Sequence, residues 1–251
     1  MGESVTWPSE STCLQPTHPV AAELAPAIYK RTCRTTFDAP GFCAINLGPN
    51  IGSTALRQLM VDIKHEMARL HASTTGQTLA YLSAARFDQQ ETTRPHLDGG
   101  PDECFLMLGY EPSNVDSRLE ISDYSRCAFE LGITPKQFMS QHNPMFQAGY
   151  EMLQPYTTRV PGFSQSDYQI ICVNNSSADY SPNSQSWQGT LHTAAIATPD
   201  ESERRVINST MIASVAVGTP DSVSAAQQAE FISTSTVRRR GYDKPHLNDD
   251  T

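Results

Sequence analysis

Two short blocks of the chain carry side chains whose types and spacing suit chemistry. In the first, Thr93-Arg94-Pro95-His96-Leu97-Asp98-Gly99-Gly100, an imidazole and a carboxylate stand two residues apart. Residues i and i+2 of an extended segment project to the same face, so His96 and Asp98 can enter one cavity. A nitrogen and an oxygen donor on one side make two-thirds of the facial triad that holds non-haem Fe(II). Gly99 and Gly100 allow a sharp turn directly after these donors. Alone, a His-x-Asp triplet is also met by a strand-end histidine and a turn aspartate. The second block, Trp187-Gln188-Gly189-Thr190-Leu191-His192-Thr193-Ala194-Ala195-Ile196, sets His192 in an apolar strand. Such a histidine is ordinarily a core residue, but Arg204-Arg205 follows it, just ahead of the strand-like Val206 to Ile212.

The elements that must position these residues are visible in the periodicity. Residues 1–36 form an N-terminal extension in which Ala21 to Tyr29 is helical, and Gly41 to Leu47 suits a strand. Ser53 can cap a helix whose Leu56, Leu59, Met60, Ile63, Met67 and Leu70 recur at three- and four-residue steps, a single buried stripe. Short extended runs follow at Leu79–Phe87, Arg94–Asp98 and Cys104–Tyr110, and a second group at Tyr168–Asn174, Thr190–Ala197 and Arg205–Val217. Between them lies a helical insertion at about 114–166, where Thr134-Pro135 is a good helix start. The main domain thus spans 37–218, and 219–251 carries one helix (Val223 to Phe231) and a polar tail.

The order His-x-Asp, distal His, then Arg resembles the iron(II)/2-oxoglutarate-dependent dioxygenase superfamily, through His96, Asp98, His192 and either Arg204 or Arg205. Tyr81 to Phe87, a polar loop and Arg94-Pro95-His96 also look like that family's approach to its metal. The resemblance covers roughly Leu79 to Val217. It implies a mainly β fold, a double-stranded β-helix (jelly roll) core with flanking helices. It implies Fe(II) on the triad and 2-oxoglutarate as co-substrate, O2 as oxidant, and hydroxylation of a small molecule such as an amino acid or metabolite with release of succinate and CO2. The co-substrate's far carboxylate falls to one arginine, whose planar fork matches a carboxylate. Alternation puts Arg204, Val206, Asn208 and Thr210 on one face and Arg205, Ile207, Ser209 and Met211 on the other. The first set is the more polar, which favours Arg204. Tyr81, in the strand before the metal motif, is a candidate hydroxyl contact to the co-substrate, although an ordinary core tyrosine is the commoner reading of such a residue. Asn174-Asn175-Ser176-Ser177 reads as a loop edging the site, its amides open to a polar substrate. Met139, His142, Met145, Phe146 and Tyr150 either fold over the cavity or build a small core.

Bulk properties narrow the partners. A formal net charge of −9 argues against a nucleic-acid backbone, and the one basic run, Arg238-Arg239-Arg240, reads as a solvated tail. No run approaches a membrane span and no export signal is visible, which predicts a soluble cytoplasmic protein whose oligomeric state is open. The 6 cysteines, Cys13, Cys33, Cys43, Cys104, Cys127 and Cys172, are too scattered for a metal pair and read as free, mostly buried thiols. Two competing readings remain. A cupin-like or degenerate β-helix protein would bind a small ligand without oxygenase activity, but cupins usually carry His-x-His with a nearby Glu. A zinc hydrolase can use two His and a carboxylate, yet leaves the arginine pair unexplained.

Overall fold

The computed structural model describes residues 6–182 and 185–239. In chain order the elements are α1 (Ser9–Thr12), β1 (Cys13–Leu14), α2 (Ala21–Thr32), β2 (Phe42–Asn46), α3 (Ser53–Thr75), β3 (Gln77–Asp88), β4 (Cys104–Tyr110), β5 (Ser117–Ser122), α4 (Tyr124–Glu130), α5 (Pro135–Gln141), α6 (Gln147–Leu153), β6 (Thr157–Arg159), β7 (Gln169–Asn174), β8 (Leu191–Ile196), β9 (Val206–Ala216), α7 (Ala225–Ser233) and β10 (Arg238–Arg239). Arg240 of the basic run and the polar tail beyond it lie outside the described residues, as do residues 1–5.

The strands form a 7-stranded sheet in the order β1-β2-β7-β4-β9-β3-β10 and a 3-stranded sheet in the order β6-β5-β8. The large sheet is covered on both faces, which is why β4 and β7 read as unbroken apolar runs rather than as alternating ones. Phe105 and Met107 of β4 join Tyr81, Ile170, Cys172 and Ile212 against α2, α3 and α7. Leu106, Leu108 and Tyr110 face the other way, with Phe87 and Ile207, toward Leu119 and Ile121 of the small sheet. The chain is therefore a β-rich, mixed α/β structure with one helical layer behind a large sheet.

The helix over residues 53–75 buries the expected stripe: Leu56, Met60, Ile63 and Met67 are fully covered. Gly76, at φ 72°, closes it in the left-handed conformation. Its start differs from expectation, because Gly52 occupies the cap and the Ser53 hydroxyl donates to Glu111 Oε1 at 2.6 Å. Gly109 of β4 permits the helix its close approach, since a Cβ there would stand 2.6 Å from Met60 Sδ. The supposed N-terminal extension is tied into this frame, with β1 parallel to β2 and α2 packed on α3.

Helices fill only the middle of the predicted insertion. β5 and β6 flank α4–α6 and belong to the small sheet. Thr134 does start α5, in a full capping box with Gln137. Tyr124, Cys127, Phe138 and Leu153 make a core that closes on Leu191, with Leu97 packed against it. Met145 and Phe146 stay outside that core, at 57 % and 72 % exposure. All 6 cysteines are free and all but Cys13 are buried. No helix among the described residues is long and apolar enough to cross a membrane.

His71 of α3 is buried, sharing hydrogen bonds with Tyr29 Oη (2.7 Å) and Ser214 Oγ (2.9 Å), and burial pushes its pKa down to about 4. The unfolded chain protonates such a group near pH 6.5, so between that pH and about 4 it binds more protons than the folded one. This group's contribution to stability is therefore lost as pH falls through that window. Urea unfolding at pH 7 and 5 is expected to show the loss, with a shallower pH dependence in His71→Gln.

Candidate metal centre

The segment read as a strand at 94–98 is not one. Pro95 has no N–H to give a ladder and Gly99-Gly100 turn the chain away, which leaves a single bridge between His96 and His192. That bridge is reciprocal: each residue's N–H donates to the other's carbonyl at 3.2 Å. Just before it, Thr93 N–H donates to Ala194 O at 2.9 Å and the Thr93 hydroxyl accepts from Ala194 N–H at 3.0 Å. The loop thus borrows β8 as its edge. β8 in turn pairs with β5 in the register Ile121↔His192.

This pairing brings the predicted ligands together. One donor atom from each of His96, Asp98 and His192 lies within 4.8 Å of the other two. His96 Nε2 is 3.7 Å from Asp98 Oδ1, and the two imidazole centroids are 4.2 Å apart. The Arg94 carbonyl accepts a hydrogen bond from His96 Nδ1–H at 2.7 Å, which leaves the Nε2 lone pair free, the usual arrangement behind a ligating histidine. Burial, with His96 alongside, pushes the pKa of His192 down to about 4, so the imidazole is neutral at pH 7. A neutral imidazole is the form that binds a metal ion. Its Nδ1 is buried without a hydrogen-bond partner among the described residues.

The three side chains line a cavity between the sheets together with Phe87, Leu108, Leu119 and Ile207 and the polar groups of Gln89, Thr93, Tyr110 and Ser209. Behind two of these lining residues, Gln89 and Tyr110, lies Arg205, 2 % exposed. Its guanidinium lies 5.0 Å over the Tyr110 ring, and it donates to Ser117 Oγ (2.9 Å), Gln89 O (3.2 Å) and Gln89 Oε1 (3.1 Å). Nη2 is buried beside the Tyr110 side chain, without a well-formed hydrogen bond among the described residues. A buried guanidinium N–H costs free energy when unmatched, so a carboxylate of a bound acid suits this position. A larger groove of about 390 Å³, between β3 and α7, holds none of these groups.

Three expectations change. Arg204 is exposed, and the polar face of β9 is not the cavity face. Asn208 is turned to the helix side, where it meets Arg57 and Glu111, whereas Ile207 and Ser209 line the cavity. Tyr81 also faces the helices, with Lys64 4.6 Å from its ring centre, and is no part of the cavity. Asn174 and Asn175 are buried and bonded to protein backbone rather than open to a substrate. Gln89, Ser117, Tyr110 and Ser209 had no signal in the sequence, because nothing in their local pattern separates a cavity wall from a core wall.

No family model and no curated protein matches the chain. Among solved structures it is similar to an iron and alpha-ketoglutarate-dependent endoperoxidase, NvfI, at 12 % identity and a TM-score of 0.40, covering 76 % of this chain and 82 % of that one. A variant of the same endoperoxidase gives 12 % identity and a TM-score of 0.36, over 73 % and 80 % of the two chains.

Proposed function

We propose that this chain is an Fe(II)- and 2-oxoglutarate-dependent oxygenase acting on a small molecule, its two sheets forming a double-stranded β-helix. The observation behind this proposal is the convergence of a His-Asp-His donor set on one cavity. Two other residues lining that cavity, Gln89 and Tyr110, are the ones on which the buried Arg205 guanidinium rests.

The donor set suits Fe(II): two imidazoles and one carboxylate on one side leave positions open for a co-substrate and oxygen. His96, Asp98 and His192 would hold the iron, and Arg205 the far carboxylate of 2-oxoglutarate. Bound there, the iron and co-substrate supply oxidation of an unactivated C–H bond, coupled to decarboxylation of 2-oxoglutarate to succinate. The rest belongs to the protein's own side chains. The Arg94 carbonyl fixes the tautomer of His96, and Gln89 with Ser117 holds the Arg205 fork in its plane. The apolar walls Phe87, Leu108, Leu119 and Ile207 would lower the local polarity, which would strengthen an ion pair between Arg205 and a bound carboxylate.

A small substrate suits an acidic chain that lacks a basic stripe. Succinate formation across a panel of amino acids and metabolites, with Fe(II), ascorbate and 2-oxoglutarate, tests the reading. Substrate-stimulated succinate release supports it. A protein that binds a panel member but forms no succinate would instead be a ligand-binding β-helix protein.

A further inference from the structure

His96 and Asp98 are both contributed by a stretch with almost no ladder, so something other than sheet pairing must fix their backbone. His96 is fixed by the reciprocal bridge to His192 at 3.2 Å. Asp98 is fixed by a side chain. Asn175 Oδ1 accepts from the Asp98 backbone N–H at 2.9 Å, and Asn175 Nδ2 donates to the Asp98 carbonyl at 2.7 Å.

A primary amide carries one acceptor and one donor side in a plane, as a peptide group does. Asn175 therefore takes the place of the missing strand neighbour at the one residue where it is needed. It leaves both Asp98 carboxylate oxygens untouched. Asn175 is itself anchored: it is 2 % exposed, and its own N–H donates to Cys104 O at 3.0 Å. The next residue adds a second tie, Ser176 Oγ to the same Cys104 carbonyl at 3.1 Å, and Asn174 is the last residue of β7, in register with Phe105. The path from β4 and β7 to the metal carboxylate thus runs through one amide.

We propose that Asn175 is a positioning residue of the metal centre, setting the Asp98 carboxylate against His96 and His192 by gripping the Asp98 peptide groups. The proposal rests on the reading of the triad as an Fe(II) site. It differs from a packing role in a measurable way. If Asn175 only packs, its loss lowers stability and leaves the folded protein's metal affinity alone.

The test is Fe(II) affinity of the full chain by anaerobic chelator competition, read beside thermal unfolding, for wild type, Asn175→Ala and Asn175→Asp. Asn175→Asp has nearly the same shape but cannot donate to the Asp98 carbonyl, and it serves should the alanine variant fail to fold. Residues that orient metal ligands from behind typically change affinity 10- to 100-fold, and a loss of about that size is expected in both variants at temperatures where they are folded. As a stability control, Ile63→Ala in α3, buried far from the site's hydrogen bonds, is expected to unfold more readily with unchanged Fe(II) affinity. Folded Asn175 variants that bind Fe(II) as wild type does would overturn the proposal while leaving the iron reading intact. Wild-type protein that takes up no Fe(II) would overturn both.

Discussion

Asp98→Ala is expected to bring Fe(II) binding and succinate formation below detection while the thermal unfolding midpoint stays within a few degrees of wild type. The two halves of that result have separate causes. The Asp98 side chain is 34 % exposed and lies 3.7 Å from His96 Nε2, so little folded-state energy depends on it. Surface-like truncations of this kind usually shift stability by about 0.5 kcal/mol or less. The backbone of Asp98 keeps its grip from Asn175, because those bonds use the peptide N–H and carbonyl. Chemistry, in contrast, loses the single anionic member of a three-ligand set. Removing groups that merely orient ligands costs about 10- to 100-fold, and removing a ligand costs more. His96→Ala is expected to behave alike. Unchanged turnover in either variant would contradict the assignment.

The second large effect concerns the arginines. Arg205→Lys is expected to raise the KM for 2-oxoglutarate by roughly 10- to 100-fold, with little change in Fe(II) affinity. Lysine keeps the charge but not the planar fork, and a hydrogen bond to a charged group contributes about 1.5–3 kcal/mol. Each 1.4 kcal/mol is a factor of ten in affinity, which sets the range. Arg204→Ala is expected to leave KM unchanged, because Arg204 is exposed. Steady-state kinetics in 2-oxoglutarate on both variants decides between them. The reverse pattern would return the co-substrate to the other face of β9.

How much of this was legible in the sequence depended on whether a residue's role was set locally. The stripe of α3 was legible because 3.6-residue periodicity has one common cause, a helix against a core. The convergence of His96, Asp98 and His192 was legible because a His-x-Asp triplet followed by a distal His is the donor order expected of a facial-triad site. The choice between Arg204 and Arg205 was not, since it assumed that the polar face of β9 meets the cavity. The large sheet is buried on both sides, and its polar face is spent instead on Asn208, Arg57 and Glu111 behind it. Tyr81 takes the ordinary core place that such a tyrosine commonly has, against the helices behind the sheet. The run at 94–98 looked extended and is extended, but Pro95 and the glycines leave it one bridge instead of a ladder. That missing ladder hid Asn175. A side-chain amide standing in for a strand neighbour is a contact between residues 77 apart, and no local pattern announces it.

On the proposed function, His96, Asp98 and His192 hold one Fe(II) within reach of a bound 2-oxoglutarate. Anaerobic titration of the protein with Fe(II) and 2-oxoglutarate, followed in the visible spectrum, tests it most directly. A weak charge-transfer band that needs both components, saturates at one iron per chain and is absent in Asp98→Ala is the predicted result. No band at saturating concentrations, with tight binding of zinc in its place, would contradict it.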